Sequence, residues 1–287
     1  MPYRMIAIDL DGTLLASDGS VPPRAKAAIH ECLAAGLLVC FATGRNWTES
    51  KAILETVQHY STAVFVSGAM VMDLQNQVTL HRTLMDPQLA AEVCQLIESL
   101  GQSPLALQDT AKASGVDYVA TAGTPPNEAE RVWREVTQSV VQEVPSLAEY
   151  AHEHTIRIGL VAPSNEVRHV LKILQETFGS RIVSHCIHLP AYGVDVLEVF
   201  DPAVNKWQGI LHVARHHGVA EHEIVAIGDD VNDLPMLRHA GLGVAMGNAR
   251  PEVQAAAHRV IGRNDEDGLA IFLNELLTQH TVTPSPQ

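Results

Sequence analysis

Two aspartates, Asp9 and Asp11, follow a short apolar segment and stand directly before Gly12 and Thr13. Alternate residues of an extended segment face the same side, so both carboxylates can reach one reacting group. One carboxylate of the pair can attack phosphorus and form an acyl phosphate, and the other can protonate the leaving oxygen and then take a proton from water. Gly12 lets the backbone turn closely around a phosphate, with backbone amides pointing at its oxygens. The spacing predicts phosphoryl-transfer chemistry at this turn.

Three further polar residues extend this candidate site. Thr43 comes after an apolar run at 37–41, Asp229 comes after another at 223–227, and Lys206 opens a predicted helix. Ligands bind beyond the carboxyl ends of parallel strands, so we expect Thr43 and Asp229 to meet the aspartate pair in one crevice. Carboxylates packed together raise one another's pKa, and a set of oxygen-only ligands favours Mg²⁺. Lys206 would bring a second positive charge to a phosphoryl group.

Each of these features alone has a simpler interpretation. The pair Asp11-Gly12 is a common turn, Thr43 with Gly44 is typical of a strand-to-helix turn, and a single lysine such as Lys206 is usually a solvated surface residue. What favours a site is that the features occur together, in chain order and at predicted strand ends.

The histidines do not indicate a zinc site. No HExxH pattern occurs, and no histidine pair is matched by a cysteine pair among the 15 histidines and 4 cysteines. We expect close pairs, such as His152 with His154 and His216 with His217, to be solvated surface residues.

The elements that would position the site alternate between strand and helix, which predicts an α/β fold: a Rossmann-like parallel sheet with helices on both faces. The predicted strands of this core lie at 5–8, 37–41, 63–66, 70–74, 223–227, 242–245 and 259–261, and the predicted helices at 24–35, 48–58, 206–217, 234–240, 251–257 and 268–278.

A second pattern interrupts the first. The stretch between Gly44 and Asn205 is far longer than an ordinary connection between core elements. We therefore expect a core of residues 1–82 and 196–287, interrupted by an inserted α/β cap domain at 83–195. The region is predicted to contain helices at 87–100, 126–140 and 166–178, and strands at 105–108, 117–120, 155–161, 181–184 and 194–200.

Composition narrows the possible partners. The net charge of −14 opposes binding to nucleic acid or to anionic membranes, and no apolar run has the length of a membrane span. The cysteines form no CxxC pair, so we expect free thiols in a reduced, cytoplasmic setting. The sequence does not indicate an oligomeric state.

The motifs together resemble those of a known superfamily. Asp-Leu-Asp-Gly-Thr at 9–13, Thr43 within Ala-Thr-Gly-Arg, Lys206, and Gly-Asp-Asp-Val-Asn-Asp at 228–233 are similar to the four ordered motifs of the haloacid dehalogenase superfamily. The insertion between the second and third motifs, and Met-Gly-Asn-Ala at 246–249, resemble the Cof-type subfamily, whose α/β cap follows the second motif.

The resemblance implies roles for individual residues. Asp9 would be the nucleophile and a Mg²⁺ ligand, and Asp11 would be the acid/base, with its backbone carbonyl also on the metal. Asp229 would be the third protein ligand of the metal. The residues implied in phosphate or substrate binding, or in supporting it, are Gly12, Thr43, Gly44, Arg45, Lys206 and Asn232, with Asp233 holding Lys206 or a metal-bound water.

Two departures from the family pattern accompany these matches. Ser67 stands where relatives often have asparagine, and Trp207 stands where glycine commonly follows the motif lysine, which should crowd that helix start. The favoured function is a Mg²⁺-dependent phosphatase acting on sugar phosphates or phosphorylated cofactors through an aspartyl phosphate. A phosphomutase of the same superfamily and a non-catalytic binding module are the alternatives.

Overall fold

The structure is a computed structural model that describes residues 3–123, 126–137, 139–189 and 194–281. It has two compact units, which we call the discontinuous unit (Met1–His81 with Asn205–Gln287) and the inserted unit (Arg82–Val204). The strands are β1 (Met5–Ile8), β2 (Leu38–Phe41), β3 (Thr62–Phe65), β4 (Met70–Asp73), β5 (Val78–Arg82), β6 (Leu105–Gln108), β7 (Tyr118–Thr121), β8 (Val141–Val144), β9 (Thr155–Ala162), β10 (Val183–Leu189), β11 (Val194–Phe200), β12 (Ile224–Gly228), β13 (Leu242–Ala245) and β14 (Arg259–Val260). The helices are α1 (Pro23–Ala34), α2 (Trp47–Thr56), α3 (Pro87–Ser99), α4 (Glu128–Thr137), α5 (Ser164–Phe178), α6 (Lys206–His216), α7 (Leu234–His239), α8 (Pro251–Ala256) and α9 (Gly268–Thr281).

The discontinuous unit is built on a five-stranded parallel sheet in the order β14-β13-β12-β1-β2. Every residue of β1 is buried, as expected for an apolar strand covered on both faces of a parallel sheet. On one face, Met5 and Ala7 of β1 join a core cluster with Ile210 of α6 and Met236 of α7. Helices α1 and α9 pack against each other, and none of their residues belongs to that cluster. The predicted parallel α/β core is confirmed.

The region after β2 differs from the prediction. β3 and β4 are antiparallel, whereas the strand–helix rhythm predicted a continuous parallel sheet. Parallel neighbours need a crossover of a dozen or more residues, but here only a tight turn around Val66–Gly68 connects the strands. β5, which the sequence pattern does not predict, completes a sheet in the order β3-β4-β5. A parallel bridge between Ala42 and Val64 keeps β3 beside the end of β2.

The inserted unit has its own six-stranded sheet, in the order β10-β11-β9-β6-β7-β8. Helices α3 and α5 pack on this sheet, where Val93 and Leu174 share a core cluster with Ile158 of β9 and Leu197 of β11. None of the described residues of the discontinuous unit belongs to this cluster, so the inserted unit has an apolar core of its own.

Two sequence predictions in the inserted unit need correction. The helix predicted at 126–140 is shorter, since α4 spans Glu128–Thr137, and the strand β8, which begins at Val141, lies parallel to β7. The boundary expected at 196 would cut through β11, which pairs with both β9 and β10. The structure accordingly divides the chain between Val204 and Asn205.

The remaining expectations concern side chains and membranes. All four cysteines are free thiols, and three are buried, as predicted. His152 is not a surface residue: it is buried, and its ring nitrogens lie 2.8 Å from the Leu147 carbonyl and 2.9 Å from Thr155 Oγ1. Two hydrogen-bond partners allow this polar ring to be buried. None of the helices in the described ranges has the length and hydropathy needed to cross a bilayer.

Candidate active site

The carboxyl ends of three neighbouring strands bring the first site residues together. Ile8 lies opposite Phe41 of β2 and Ile227 of β12, and the Asp9 amide donates to the Ile227 carbonyl at 3.0 Å. The residues that follow these strands, including Thr43 and Asp229, therefore emerge at one edge of the sheet, where α/β folds bind ligands.

A buried ammonium group links two of the carboxylates. Lys206 Nζ lies 2.6 Å from Asp9 Oδ1 and 2.6 Å from Asp233 Oδ1, and all three residues are buried. Asp233 Oδ2 also accepts from the backbone amides of Asp229, at 2.9 Å, and Asp230, at 3.1 Å. Asp233 thus orients Lys206 with one oxygen and closes the loop after β12 with the other.

The start of α6 sets the position of Lys206. Asn205 caps the helix, its side chain accepting from the Gln208 amide at 3.0 Å. Gly68 has φ +102°, and a Cβ there would lie 2.0 Å from the Asn205 carbonyl oxygen, so only glycine allows this contact. The close approach fixes the first turn of α6 beside the crevice.

The two departures from the family pattern lie beside this contact. Trp207 is buried in the core cluster and stacks on His239, with ring centroids 6.1 Å apart, and Lys206 still reaches both of its carboxylate partners. Ser67 is buried at φ +54°, and its amide donates to the Thr43 carbonyl at 2.9 Å. Ser67 thus contributes to holding the segment that carries Thr43.

Three carboxylates lie close enough to share a cation. Oxygens of Asp9, Asp229 and Asp233 all lie within 4.8 Å of one another. Both Asp233 oxygens accept hydrogen bonds, whereas no group in the described part of the chain donates to Asp9 Oδ2 or Asp229 Oδ2. The Asn232 side-chain oxygen is buried beside this loop without a hydrogen-bond partner. An oxygen-only donor set of this kind fits a hard divalent cation such as Mg²⁺.

The pKa shifts in this cluster also favour a bound cation. Burial, together with the neighbouring Asp233 and Asp230 carboxylates, raises the pKa of Asp229 to about 8. Burial also raises the pKa of Asp9 well above its usual range, with Lys206 opposing and the nearby aspartates adding to the shift. Burial alone would lower the pKa of Lys206, but Asp233 and Asp9 outweigh it, so that pKa is raised and the ammonium stays charged. The carboxylates would all be ionised near neutral pH only with a further cation.

The turn after Asp9 is shaped around Asp229. Gly12 has φ +76°, and a Cβ on it would lie 2.2 Å from Asp229 Oδ2. Thr13 Oγ1 donates to Asp229 Oδ1 at 3.1 Å. The turn therefore depends on glycine both for its backbone conformation and for its contact with the carboxylate.

Gly12→Ala is expected to remove most of the catalytic activity, because the added methyl group displaces Asp229, and a misplacement of about 1 Å can cost about 10²-fold in rate. Gly19→Ala is the matched control, since Gly19 has φ +78° but no atom within 4 Å of an added Cβ. Both variants should lose about 1–2 kcal/mol of unfolding free energy in urea titrations. Equal activities in the two variants would contradict a role for the Gly12–Asp229 contact.

Asp11 has a partner that the sequence does not predict. Arg45 Nε and Nη2 donate to Asp11 Oδ2 and Oδ1 at 2.8 and 2.6 Å, a bidentate geometry. Arg45 was expected to reach substrate or cap; in this structure it binds the expected acid/base. Its backbone amide also donates to Thr43 Oγ1 at 3.1 Å, so one residue contacts both Asp11 and Thr43.

The structure brings most of the predicted site residues to one edge of the sheet. Asp9, Gly12, Lys206, Asp229 and Asp233 are linked by direct contacts or close approach, and Asp11, Thr43 and Arg45 form a second connected group. Gly44 lies between Thr43 and Arg45, and Asn232 lies in the loop after β12, directly before Asp233.

Sequence reasoning assigned no role to three contributing residues. Thr13 binds Asp229, Asn248 Nδ2 donates to the Gly12 carbonyl, and Asn264 binds Asn248. Thr13 is inside the first motif and Asn248 is inside the segment at 246–249, so position within a motif was the only available signal. Nothing in the sequence around Asn264 indicates its contact.

Comparisons with known proteins agree with this geometry. Residues 6–273 match the family described as haloacid dehalogenase-like hydrolase. The chain is 27% identical to an HMP-PP phosphatase of Yersinia enterocolitica, covering 99% of both chains. It is 28% identical to a 5-amino-6-(5-phospho-D-ribitylamino)uracil phosphatase of Bacillus subtilis, covering 96% of this chain and 97% of that one.

Solved structures show the same fold. A haloacid dehalogenase-like hydrolase from Bacillus subtilis superposes with a TM-score of 0.79 at 24% identity, covering 96% of this chain and 100% of that one. A sugar phosphatase of haloacid dehalogenase subclass IIB superposes with a TM-score of 0.77 at 22% identity, covering 96% of this chain and 99% of that one.

Proposed function

The chain belongs to the haloacid dehalogenase-like hydrolase family, and on that basis we propose that it hydrolyses phosphate monoesters of small metabolites, with Asp9 as nucleophile. The observation that carries the proposal is the contact of the Asp9 carboxylate with the buried Lys206 ammonium, at the carboxyl end of β1. A nucleophile there has a cation at hand for the phosphoryl oxygens.

Mg²⁺ is the proposed cofactor. Asp9 and Asp229 would hold it with carboxylate oxygens and Asp11 with its backbone carbonyl, while Asp233 stays engaged with Lys206. The bound ion would neutralise phosphoryl oxygens and orient the group for attack along the line of the breaking bond. The support for this assignment is the donor chemistry of the cluster and the raised pKa of Asp229.

Side chains of the protein carry out the bond-making and proton-transfer steps. An Asp9 oxygen forms a bond to phosphorus as the bond from phosphorus to the ester oxygen breaks, and Asp11 donates a proton to the departing oxygen. Water then attacks the aspartyl phosphate, Asp11 takes its proton, and inorganic phosphate leaves Asp9 free. Lys206 and Thr43 hold phosphoryl oxygens in both steps. When no substrate is bound, Arg45 keeps the Asp11 carboxylate oriented through the bidentate contact described above.

The proposed substrates are small phosphorylated metabolites, in keeping with the names of the relatives in Yersinia and Bacillus. We propose that the inserted unit acts as the cap that selects among these substrates. The unit has its own core, so its sequence can change without changing the motifs that carry the catalytic residues.

A screen of phosphate esters tests the proposal. The purified chain should release inorganic phosphate from at least one sugar phosphate, nucleotide, flavin mononucleotide or pyridoxal phosphate with Mg²⁺ present, and the rate should collapse when EDTA is added. Rates that are the same with and without EDTA would refute the metal assignment. Isomerisation of a sugar monophosphate that depends on added sugar bisphosphate would instead favour a mutase.

Mg²⁺ binding is expected to strengthen as pH rises. Without metal, the folded chain holds a proton on Asp229 up to about pH 8, whereas in an unfolded chain this carboxyl ionises near pH 4. The folded apo protein therefore loses stability as pH rises across that interval, and a cation that binds the ionised form must displace the proton. The Kd for Mg²⁺ from calorimetry should fall as pH rises from 6 to 8, by roughly tenfold per pH unit for each proton that the metal displaces. A Kd that is constant over this range would contradict the assignment, and Asp229→Asn should flatten the dependence.

A further inference from the structure

We infer that Asn248 is a positioning residue that orients a phosphate-binding backbone amide, the Thr13 N–H, in the turn at residues 9–13. Asn248 itself has no role assigned above in catalysis or metal binding. The inference rests on the proposed function. Asn248 follows β13, and its Nδ2 donates to the Gly12 carbonyl at 2.8 Å. Gly12 lies between the acid/base Asp11 and Thr13, so the contact reaches the centre of the turn without touching any reacting group.

The peptide bond transmits this contact. A trans peptide is planar, with its C=O and the following N–H pointing in opposite directions. By holding the Gly12 carbonyl, Asn248 also fixes the plane that carries the Thr13 N–H, which points away from Asn248. Backbone amides of such a turn are the donors proposed for phosphoryl oxygens. With the Thr13 N–H as one of these donors in the proposed site, phosphate affinity depends on Asn248 through the orientation of this one peptide plane.

Asn264 makes the arrangement rigid. Its backbone amide donates to Asn248 Oδ1 at 3.0 Å, and its own Nδ2 donates to the Leu15 carbonyl at 2.8 Å. Asn264 is buried. The turn is therefore held at Gly12 by Asn248 and at Leu15 by Asn264, and the two holding residues are bonded to each other. We call Asn248 and Asn264 the asparagine brace.

The chemistry of the brace requires an amide at position 248. The Gly12 carbonyl can only accept and the Asn264 amide can only donate, so the residue between them must supply one donor and one acceptor. Those partners also fix which side-chain atom of Asn248 is nitrogen. An aspartate would keep the acceptor but lose the donor, and alanine would lose both.

Asn248→Ala and Gln254→Ala form a matched pair for the test. Gln254 Nε2 donates to the carbonyls of Gly247, at 3.2 Å, and Ala249, at 3.0 Å, so it holds the same loop without touching the Gly12 turn. Two quantities are measured: the constant for competitive inhibition by inorganic phosphate, which does not depend on the fraction of active enzyme, and the hydrogen-exchange rate of the amides between residues 10 and 15.

In Asn248→Ala, the phosphate inhibition constant should rise by about tenfold, the size expected for one misdirected hydrogen bond to a charged group. KM should rise in parallel, and exchange in the turn should speed up. In Gln254→Ala, the phosphate inhibition constant and the exchange rates should stay within twofold of wild type. We expect this even if its melting temperature falls as far as that of Asn248→Ala. If Asn248→Ala does not fold, Asn248→Asp keeps the bond to Asn264 and should still accelerate exchange in the turn.

The outcomes distinguish the proposed function from the positioning role of Asn248. A wild-type chain that neither hydrolyses esters nor binds phosphate would overturn the proposed function and the phosphate role of the brace together. An active wild type with an unchanged phosphate constant in Asn248→Ala, or an equal rise in Gln254→Ala, would overturn the positioning role alone.

Discussion

Asp9→Asn is expected to lower kcat for phosphoester hydrolysis by at least about 10³-fold, the scale of loss seen when a nucleophile is removed. An asparagine has nearly the same shape and its side-chain oxygen can still accept from Lys206, but the neutral amide does not attack phosphorus. The fold should persist, because the variant removes a buried carboxylate whose pKa is already raised by its surroundings. Steady-state rates on an aryl phosphate and a thermal melt measure the two effects.

Asp18→Asn is the control for that experiment, since Asp18 is exposed and accepts hydrogen bonds from the backbone and the side chain of the nearby Ser20. Its kcat should stay within twofold of wild type. If Asp9→Asn keeps more than a tenth of wild-type activity, the nucleophile is another residue. An inactive variant that has also lost its cooperative thermal transition would require Asp9→Ser as a second test.

Lys206→Met is expected to reduce both activity and stability. The variant leaves the Asp9 and Asp233 carboxylates buried without the ammonium that lies 2.6 Å from each. Removing one partner from a buried ionic group typically costs about 3–5 kcal/mol. The loss of a cation at the phosphoryl oxygens should lower kcat by at least about 10²-fold. Urea unfolding without added Mg²⁺ measures the loss of stability, and steady-state kinetics with Mg²⁺ measure the loss of kcat.

Lys51→Met supplies the comparison for the stability arm. Lys51 is more than half exposed and lies 4.0 Å from Glu55 on the same helix, so its loss should change the unfolding free energy by no more than about 0.5 kcal/mol. Lys206→Met that unfolds as readily as Lys51→Met would show that the buried ammonium does not stabilise the carboxylates around it.

The sequence was most informative where apolar runs end in polar residues. β1, β2 and β12 are fully buried or nearly so, and their ends place Asp9, Thr43 and Asp229 at one edge. Such a strand and the polar residue that follows it can both be predicted from the local sequence, without knowledge of distant contacts.

Edge strands were harder to predict. β5 and β8 have exposed residues along much of their length, so burial leaves little trace in their sequences. β8 was not predicted, and it begins directly after the helix predicted at 126–140. The antiparallel pairing of β3 and β4 was predictable from the short connection between them, had loop length been weighed above the strand–helix rhythm.

Long-range side-chain contacts were beyond prediction from spacing. Arg45 binds Asp11 from a different strand end, and Asn264 reaches Leu15 across 249 positions of the chain. Both contacts depend on how the sheet brings separate loops together. A single sequence carries no local pattern for either one.

The division of the sheet between two distant stretches of chain has a consequence for how the enzyme folds. β1 and β12 are adjacent, yet they pair across the whole of the inserted unit, and contacts of such long sequence separation form slowly. The inserted unit is contiguous and has its own core, so it can fold first and bring the two flanking stretches closer, which reduces the entropic cost of closing the loop. During synthesis, Asp9 leaves the ribosome before the inserted unit, and the crevice around it is completed only after β12 and β13 have emerged.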